Sequence, residues 1–211
     1  MITLAIADDH PLFRSALIGA LKQEFNDVCI HESDDLDSTI EMLQQHSDLD
    51  LLLLDLNMPG CGKLYGLIRI RTDFPDVPVA VISGSEDNKI ISTVIESGAL
   101  GFIPKTSEPF QYASAINSIL EGDIWIPKNA VLENQNDVNL DMQKKVAELT
   151  PQQFKVLCYL HEGMLNKQIA YELNISEATI KAHITAIFRK LGVNNRTQAV
   201  LIASDLELSR T

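Results

Sequence analysis

Apolar residues along the first 120 or so positions alternate between two rhythms. Ile2–Ala7 is a short apolar run broken by Asp8-Asp9. Beyond it, Phe13, Ala16, Leu17, Ala20 and Leu21 recur at three- and four-residue spacing with Pro11 near the first turn, which predicts a helix. Val28–His31 predicts a second strand, and Asp37–Gln45 a helix with Ile40 and Leu43 facing in. Leu49–Leu54 is almost wholly apolar, as a strand covered on both faces should be. The alternation continues with Leu64–Arg71 as helix, Val79–Ser83 as strand, Lys89–Glu96 as a helix stopped by Gly98, and Leu100–Ile103 as strand. A last helix, capped by Thr106 or Ser107, runs through Glu121 with Phe110, Ala113, Ile116 and Leu120 on one face. Five strands alternating with five helices over residues 1–122 predict an α/β domain, a doubly wound five-stranded parallel sheet.

Residues 123–145 break this pattern. Pro127 and the polar stretch Glu133–Asp137 predict a linker with room for a short helix. From residue 146 to 211 the pattern is all helix. Thr150-Pro151-Gln152-Gln153 is a helix start, with Thr as N-cap, Pro at N1 and Gln at N3. That helix ends near Gly163, a short one spans Asn166–Leu173, and Asn174-Ile175 turns. Ser176 caps a longer helix, Glu177–Leu191, stopped by Gly192, and a final helix covers Arg196–Leu206. A short helix, a tight turn and a longer helix form a helix-turn-helix pattern, whose second helix enters the major groove of DNA. Ile180, Ile184, Ile187, Phe188 and Leu191 make its buried stripe; Thr179, Lys181, His183, Thr185, Arg189 and Lys190 supply the polar face.

Charge sharpens this division. The whole chain carries −12, which argues against nucleic acid, but residues 1–127 hold −13, residues 128–143 hold −2 and residues 144–211 hold +3. A small basic module follows an acidic one. Apolar runs are far shorter than the roughly 20 residues of a membrane helix, and the N-terminus lacks a basic segment, so neither a membrane span nor a signal peptide is expected. Cys29, Cys61 and Cys158 are odd in number and widely spaced, without a CxxC pair, which fits a reduced cytoplasmic protein.

Ligand sites of such sheets lie outside the carboxyl ends of the strands. Asp8 and Asp9 end the first strand, Asp55 the third and Ser83 the fourth, and Lys105 follows the fifth. Alone, each has an ordinary reading as a helix cap, a loop polar group or a surface charge. Together, three carboxylates suit Mg²⁺, one carboxylate can act as a nucleophile toward a phosphoryl group, and a hydroxyl and an ammonium can stabilise phosphoryl oxygens.

Asp8-Asp9, Asp55-Leu56-Asn57-Met58-Pro59-Gly60, Val81-Ile82-Ser83 and Gly101-Phe102-Ile103-Pro104-Lys105 resemble the receiver domain of two-component response regulators. The resemblance implies a flavodoxin-like strand order and a phosphoryl group accepted on Asp55 from a sensor histidine kinase. It implies Mg²⁺ held by Asp8, Asp9, Asp55 and the carbonyl of Asn57, Ser83 and Lys105 on the phosphoryl group, and Phe102 as the aromatic switch. Cys61-Gly62-Lys63 departs from the usual loop without touching these residues. The tail resembles the LuxR-type DNA-binding domain of the NarL/FixJ class through Leu149–Gln153, Asn166–Ala170, Leu173–Ser176, Thr179–His183 and Lys190–Val200. By that pattern Lys181, Ala182 and Thr185 face bases, with Thr179 and His183 beside them, and Lys167 and Lys190 lie near phosphates. Many members carry Lys where Thr185 stands, which points to a different DNA preference. Promoter DNA, a homodimer formed on phosphorylation and RNA polymerase are the implied partners. Among other classes, a haloacid-dehalogenase-like phosphatase would need a second Asp where Asn57 stands, and the DNA-binding tail disfavours a standalone phosphorelay carrier. The expectation is therefore a regulator, not an enzyme; the alternative is a LuxR-type regulator that works without phosphorylation.

Overall fold

In the structure, a computed structural model describing residues 1–46, 48–62, 64–132 and 138–206, the alternating front half forms β1 (Ile2–Ala7), α1 (Pro11–Glu24), β2 (Val28–Ser33), α2 (Leu36–Gln45), β3 (Leu51–Asp55), α3 (Leu64–Asp73), β4 (Val79–Ser83), α4 (Asn88–Glu96), β5 (Gly101–Pro104) and α5 (Pro109–Leu120). The strands pair in parallel in the order β2-β1-β3-β4-β5. The apolar run of β3 feeds both faces of the sheet: Leu51 and Leu53 pack with Leu17, Leu21, Tyr112 and Ile116 of α1 and α5. Leu52 and Leu54 pack with Leu36, Leu43, Leu67 and Ile91 of α2, α3 and α4. Period-two side-chain alternation in a fully buried strand requires helices on both sides.

Helix α5 begins later than expected. Pro109 occupies its first turn and keeps Glu108 extended, so the helix cannot start earlier. Neither Thr106 nor Ser107 caps it: Gln111 reaches back to accept from the Glu108 amide at 2.8 Å, and Thr106 donates to Glu86 at 2.9 Å.

Part of the region expected to be a linker with room for a short helix is ordered onto the sheet. Trp125 pairs with Gly101 beside β5. The Phe102 amide donates to the Trp125 carbonyl and the Trp125 amide to the Leu100 carbonyl, each at 3.0 Å. Gly101 permits this approach, since a Cβ there would lie 2.6 Å from Ile119 Cδ1 and 3.3 Å from the Trp125 oxygen. One bridged residue leaves no periodic signal in a sequence. The polar stretch 133–137 lies outside the described residues.

The tail folds as α6 (Val138–Ala147), α7 (Pro151–His161), α8 (Asn166–Glu172), α9 (Glu177–Leu191) and α10 (Arg196–Asp205). Helix α6 crosses the boundary expected at residues 145/146. Thr150 and Gln153 form the reciprocal cap of α7, at 3.2 Å and 3.1 Å. The two halves share one continuous apolar interior: Tyr65 of α3 belongs to the same cluster as Val146, Leu149 and Phe154. The Tyr65 ring stacks on Phe154 at 3.8 Å, and its hydroxyl donates to the Leu149 carbonyl at 2.9 Å.

Candidate acidic site and nucleic-acid interface

Strand order reverses between β1 and β3, and the crevice of such a sheet opens at the carboxyl ends of the strands flanking that point. Asp8 and Asp9 leave β1 there and Asp55 closes β3. Lys105, just past β5, reaches across: its Nζ lies 2.7 Å from Asp8 Oδ2 and 2.8 Å from Asp55 Oδ2. Its reach is set by main-chain pairing, since the Lys105 amide donates to the Ser83 carbonyl at 2.7 Å. Tyr112 of α5 also holds the Pro104 carbonyl at 3.1 Å. The Lys105 ammonium sits 4.9 Å above the ring of Phe13.

Asp8 and Asp55 side chains are fully buried, and Lys105 is 18% exposed. Burial raises the Asp55 carboxyl above its ordinary value, against the opposing pull of Lys105 and the Asn57 amide. Burial works to lower Lys105, but its bonds to Asp55 and Asp8 prevail and raise it. The Asn57 amide donates to Asp55 Oδ1 at 3.2 Å. Ser83 stands on the same rim, and its hydroxyl accepts from the Ser85 amide at 3.2 Å. Phe102 is fully buried, with its amide given to the linker at Trp125.

The acids fit a hard cation. Carboxylate oxygens of Asp8, Asp9 and Asp55 and a ring nitrogen of His10 all lie within 4.8 Å of one another. Oδ2 of Asp8 and Oδ1 of Asp9 are buried without a well-formed hydrogen bond. The Lys105 ammonium lies 2.7 Å from Asp8 Oδ2, and the His10 ring places its Nδ1 2.8 Å from Asp9 Oδ1. Oxygen-rich sites with spare lone pairs are what Mg²⁺ takes. His10 was not among the sequence candidates; its only signal is adjacency to the acid pair. Arg14 was also missed. It donates through Nη1 to the Asp8 carbonyl and through Nε to Glu32 at 2.9 Å, holding the β1–α1 turn.

In the tail, α8 and α9 meet at Asn174, whose φ of 52° is the left-handed turn that Asn tolerates. Ser176 caps α9 through the Thr179 amide at 3.1 Å. Ile180, Ile187 and Leu191 turn into the core, while Thr179, Lys181, Ala182 and Thr185 are exposed and His183 is half-buried. Lys181 pairs with Glu177 at 3.4 Å. Lys167 on α8 is exposed. Lys190, expected near phosphates, has partners within the tail. It is half-buried and donates to the Glu148 carbonyl at 2.6 Å and to Gln153 at 2.8 Å, joining α9 to the α6–α7 turn. Its position in the last turn of α9 faces that turn rather than the open side.

A receiver-type acidic rim followed by a helix-turn-helix defines a class of regulator. Residues 4–117 match the response regulator receiver domain, and residues 147–203 match the luxR family of bacterial regulatory proteins. The chain belongs to the response regulators that carry a LuxR-type domain, and it is a DNA-binding transcriptional regulator. Over 216 residues it is 42% identical to the glycerol metabolism activator of Pseudomonas putida, covering 99% of this chain and 98% of that protein. It is 33% identical to the nitrate/nitrite response regulator protein NarP of Escherichia coli (strain K12), over 93% and 92% of the two chains. RcsB from Salmonella enterica serovar Typhimurium, bound to promoter P1flhDC with the phosphomimetic BeF3−, is similar at a TM-score of 0.58 and 27% identity, over 97% and 98% of the chains. A structure of two RcsB dimers bound to two parallel DNAs is similar at 0.55 and 28%, over 96% and 98%. Among the described residues no helix is long and apolar enough to cross a membrane.

Proposed function

We propose that Asp55 accepts a phosphoryl group from a sensor histidine kinase and that the modified chain pairs and binds promoter DNA through α9. The observation that carries this reading is the Lys105 ammonium held between Asp8 and Asp55 at the rim of the sheet. A carboxylate oxygen of Asp55 attacks the phosphorus, and the bond from phosphorus to the donor's leaving group breaks as the new one forms. Lys105 and Ser83 receive the phosphoryl oxygens, so charge that Lys105 now balances on two carboxylates is shared with the incoming group. Asp8, Asp9, Asp55 and the Asn57 carbonyl would hold Mg²⁺, which supplies charge neutralisation for a phosphoryl donor approaching three acids. Phe102 is the packing element that follows Ser83. The phosphoryl group adds roughly −1.5 to −2 charges at this rim.

The tail carries +3 and the receiver −13, so one module has limited electrostatic reach toward DNA. Pairing two tails on adjacent half-sites makes the second contact intramolecular and raises affinity without new contacts. Lys181, Ala182 and Thr185 read bases, flanked by Thr179 and His183, and Lys167 approaches phosphate. RNA polymerase is the partner through which bound protein changes transcription, and the cytoplasm is where it acts. The chain is a regulator whose only covalent chemistry is on itself.

The test is labelling by acetyl phosphate with Mg²⁺ present or chelated. Wild type is expected to be labelled only with Mg²⁺, and Asp55→Asn and Asp9→Ala are expected to stay unlabelled while folded. Labelling of Asp55→Asn, or equal labelling of Asp9→Ala in EDTA, refutes the assignment. If wild type is never labelled yet binds its operator, the phosphorylation-independent alternative holds.

A further inference from the structure

We propose that Tyr65 is a positioning residue for DNA binding: through Leu149 and Phe154 it fixes the orientation of the tail on the receiver, so that a phosphorylated pair presents two tails at one spacing. This rests on the phosphorylation and pairing proposed above.

Tyr65 lies in the first turn of α3 and is fully buried. Its ring lies nearly parallel to Phe154, with an interplanar angle of 9°. Its hydroxyl donates to the main-chain carbonyl of Leu149, in the turn between α6 and α7, and accepts from Arg69 Nη1 at 3.3 Å. A phenol that both donates and accepts has its rotation about the C–O bond fixed. Arg69 is itself held by Asp73 at 2.5 Å. The partner on the tail side is a main-chain atom between two helices, so the contact orients the tail as a body and not one side chain. Alongside, Lys144 of α6 shares a cleft with Ile68, Arg71 and Thr72 of α3.

The joint does not hide the reading helix. Thr179, Lys181, Ala182 and Thr185 of α9 and Lys167 of α8 are exposed with the tail docked. A docked tail therefore keeps its base-facing side chains free, and release is not needed to uncover them. What docking removes is rotational freedom between the two modules.

The joint is also built into the segment that carries Asp55. The Cys61 amide donates to Met58 at 3.1 Å, the Tyr65 amide to Gly62 at 3.4 Å and the Gly66 amide to Cys61 at 2.7 Å. Gly66 lets this loop lie against α3, because a Cβ there would stand 2.3 Å from Cys61 Sγ. Tyr65, the ring that holds the tail, thus stands ten positions after Asp55, the acid that receives the phosphoryl group. Gains from joining two binding modules depend on whether their geometry spans both sites. Fixed tails favour operators of one spacing; loose tails lose that advantage and keep their affinity for a single half-site.

The experiment uses the full chain treated with beryllofluoride, on DNA bearing one or two half-sites taken from sequences the wild type selects. Tyr65→Phe keeps the ring stack and loses the hydroxyl, which donates to Leu149 and accepts from Arg69; Tyr65→Ala loses both ring and hydroxyl. Tyr65→Ala is expected to bind two half-sites about tenfold more weakly and one half-site unchanged, with Tyr65→Phe roughly threefold weaker on two. Sedimentation velocity is expected to show that both variants still pair with beryllofluoride. Tighter binding of Tyr65→Ala to a single half-site would mean that docking occludes the tail and overturns the proposal, as would unchanged binding to two half-sites. Should Tyr65→Ala fail to fold, the one-atom change Tyr65→Phe decides by the same readouts. Failure of the wild type to pair with beryllofluoride would instead overturn the underlying reading of Asp55.

Discussion

Among the described residues Lys105 is the basic side chain that bridges Asp8 and Asp55, and the cost of Lys105→Ala can be worked from the site. Both carboxylates are fully buried, so two like charges are left without the cation that balances them. Removing one partner of a buried ion pair costs about 3–5 kcal/mol. Proton uptake sets a ceiling on that cost. Neutralising Asp55 at pH 7 from its ordinary value of 3.8 costs about 4 kcal/mol at 1.36 kcal/mol per pH unit, and at pH 5 only about 1.6 kcal/mol. Burial already raises Asp55 in the folded chain, so ionising it costs stability as pH climbs above 3.8, and losing Lys105 raises it further. Lys105→Ala is therefore expected to lose about 3–4 kcal/mol at pH 7 in EDTA and less than about 2 kcal/mol at pH 5, small enough for a domain of ordinary stability to remain folded. Mg²⁺ at neutral pH is expected to restore part of the loss, because a cation bound only by the folded acids stabilises it by mass action. Urea unfolding at both pH values, with Mg²⁺ and with EDTA, measures all three. A loss that is the same at pH 5 and pH 7, or that Mg²⁺ leaves untouched, would refute the claim that Lys105 acts by balancing these charges.

Gly101→Ala pushes a methyl group against Ile119 and the Trp125 carbonyl; it is expected to cost roughly 1–3 kcal/mol and to shift the emission of Trp125, the chain's single tryptophan, and unchanged emission and stability would show that the linker does not pack there. Lys181→Ala is expected to weaken operator binding by ~1–3 kcal/mol with relaxed specificity at one position, or evenly with a salt slope lower by about one if it touches phosphate; a gel-shift titration with no change moves the interface away from α9. The His31 ring is lowered from its ordinary 6.5, by burial and then by the His46 ring stacked on it at 3.8 Å, with Asp48 opposing. The unfolded chain therefore takes up that proton first, and stability is expected to fall as pH drops below 6.5 toward the folded value. His31→Gln should flatten that slope in thermal scans between pH 7.5 and 5.5, and an unaltered slope assigns it elsewhere.

The candidate acidic site was legible in the sequence because its residues sit beside elements whose patterns are strong. An apolar run such as Leu51–Leu54 marks a buried strand, and the polar residue that ends it must lie at the sheet's rim, so Asp55 and Asp8 announce themselves. The same holds for Thr150 and Ser176, whose caps act over three residues, and for the stripe of α9. Contacts between residues far apart in the chain carry no such local signal. Tyr65 and Leu149 are separated by 84 positions, and each reads alone as an ordinary core residue. Lys190 looks in sequence like any cation on a DNA-facing helix, and only its packing against Glu148 and Gln153 turns it inward. Trp125 joins β5 by a single bridge, too short for periodicity to reveal. Local propensity and hydrophobic spacing determined which helices and strands form and which acids they carry to the rim. Tertiary packing alone decided how the tail sits on the receiver, because burial and main-chain pairing between distant segments depend on shapes that exist only once both have folded.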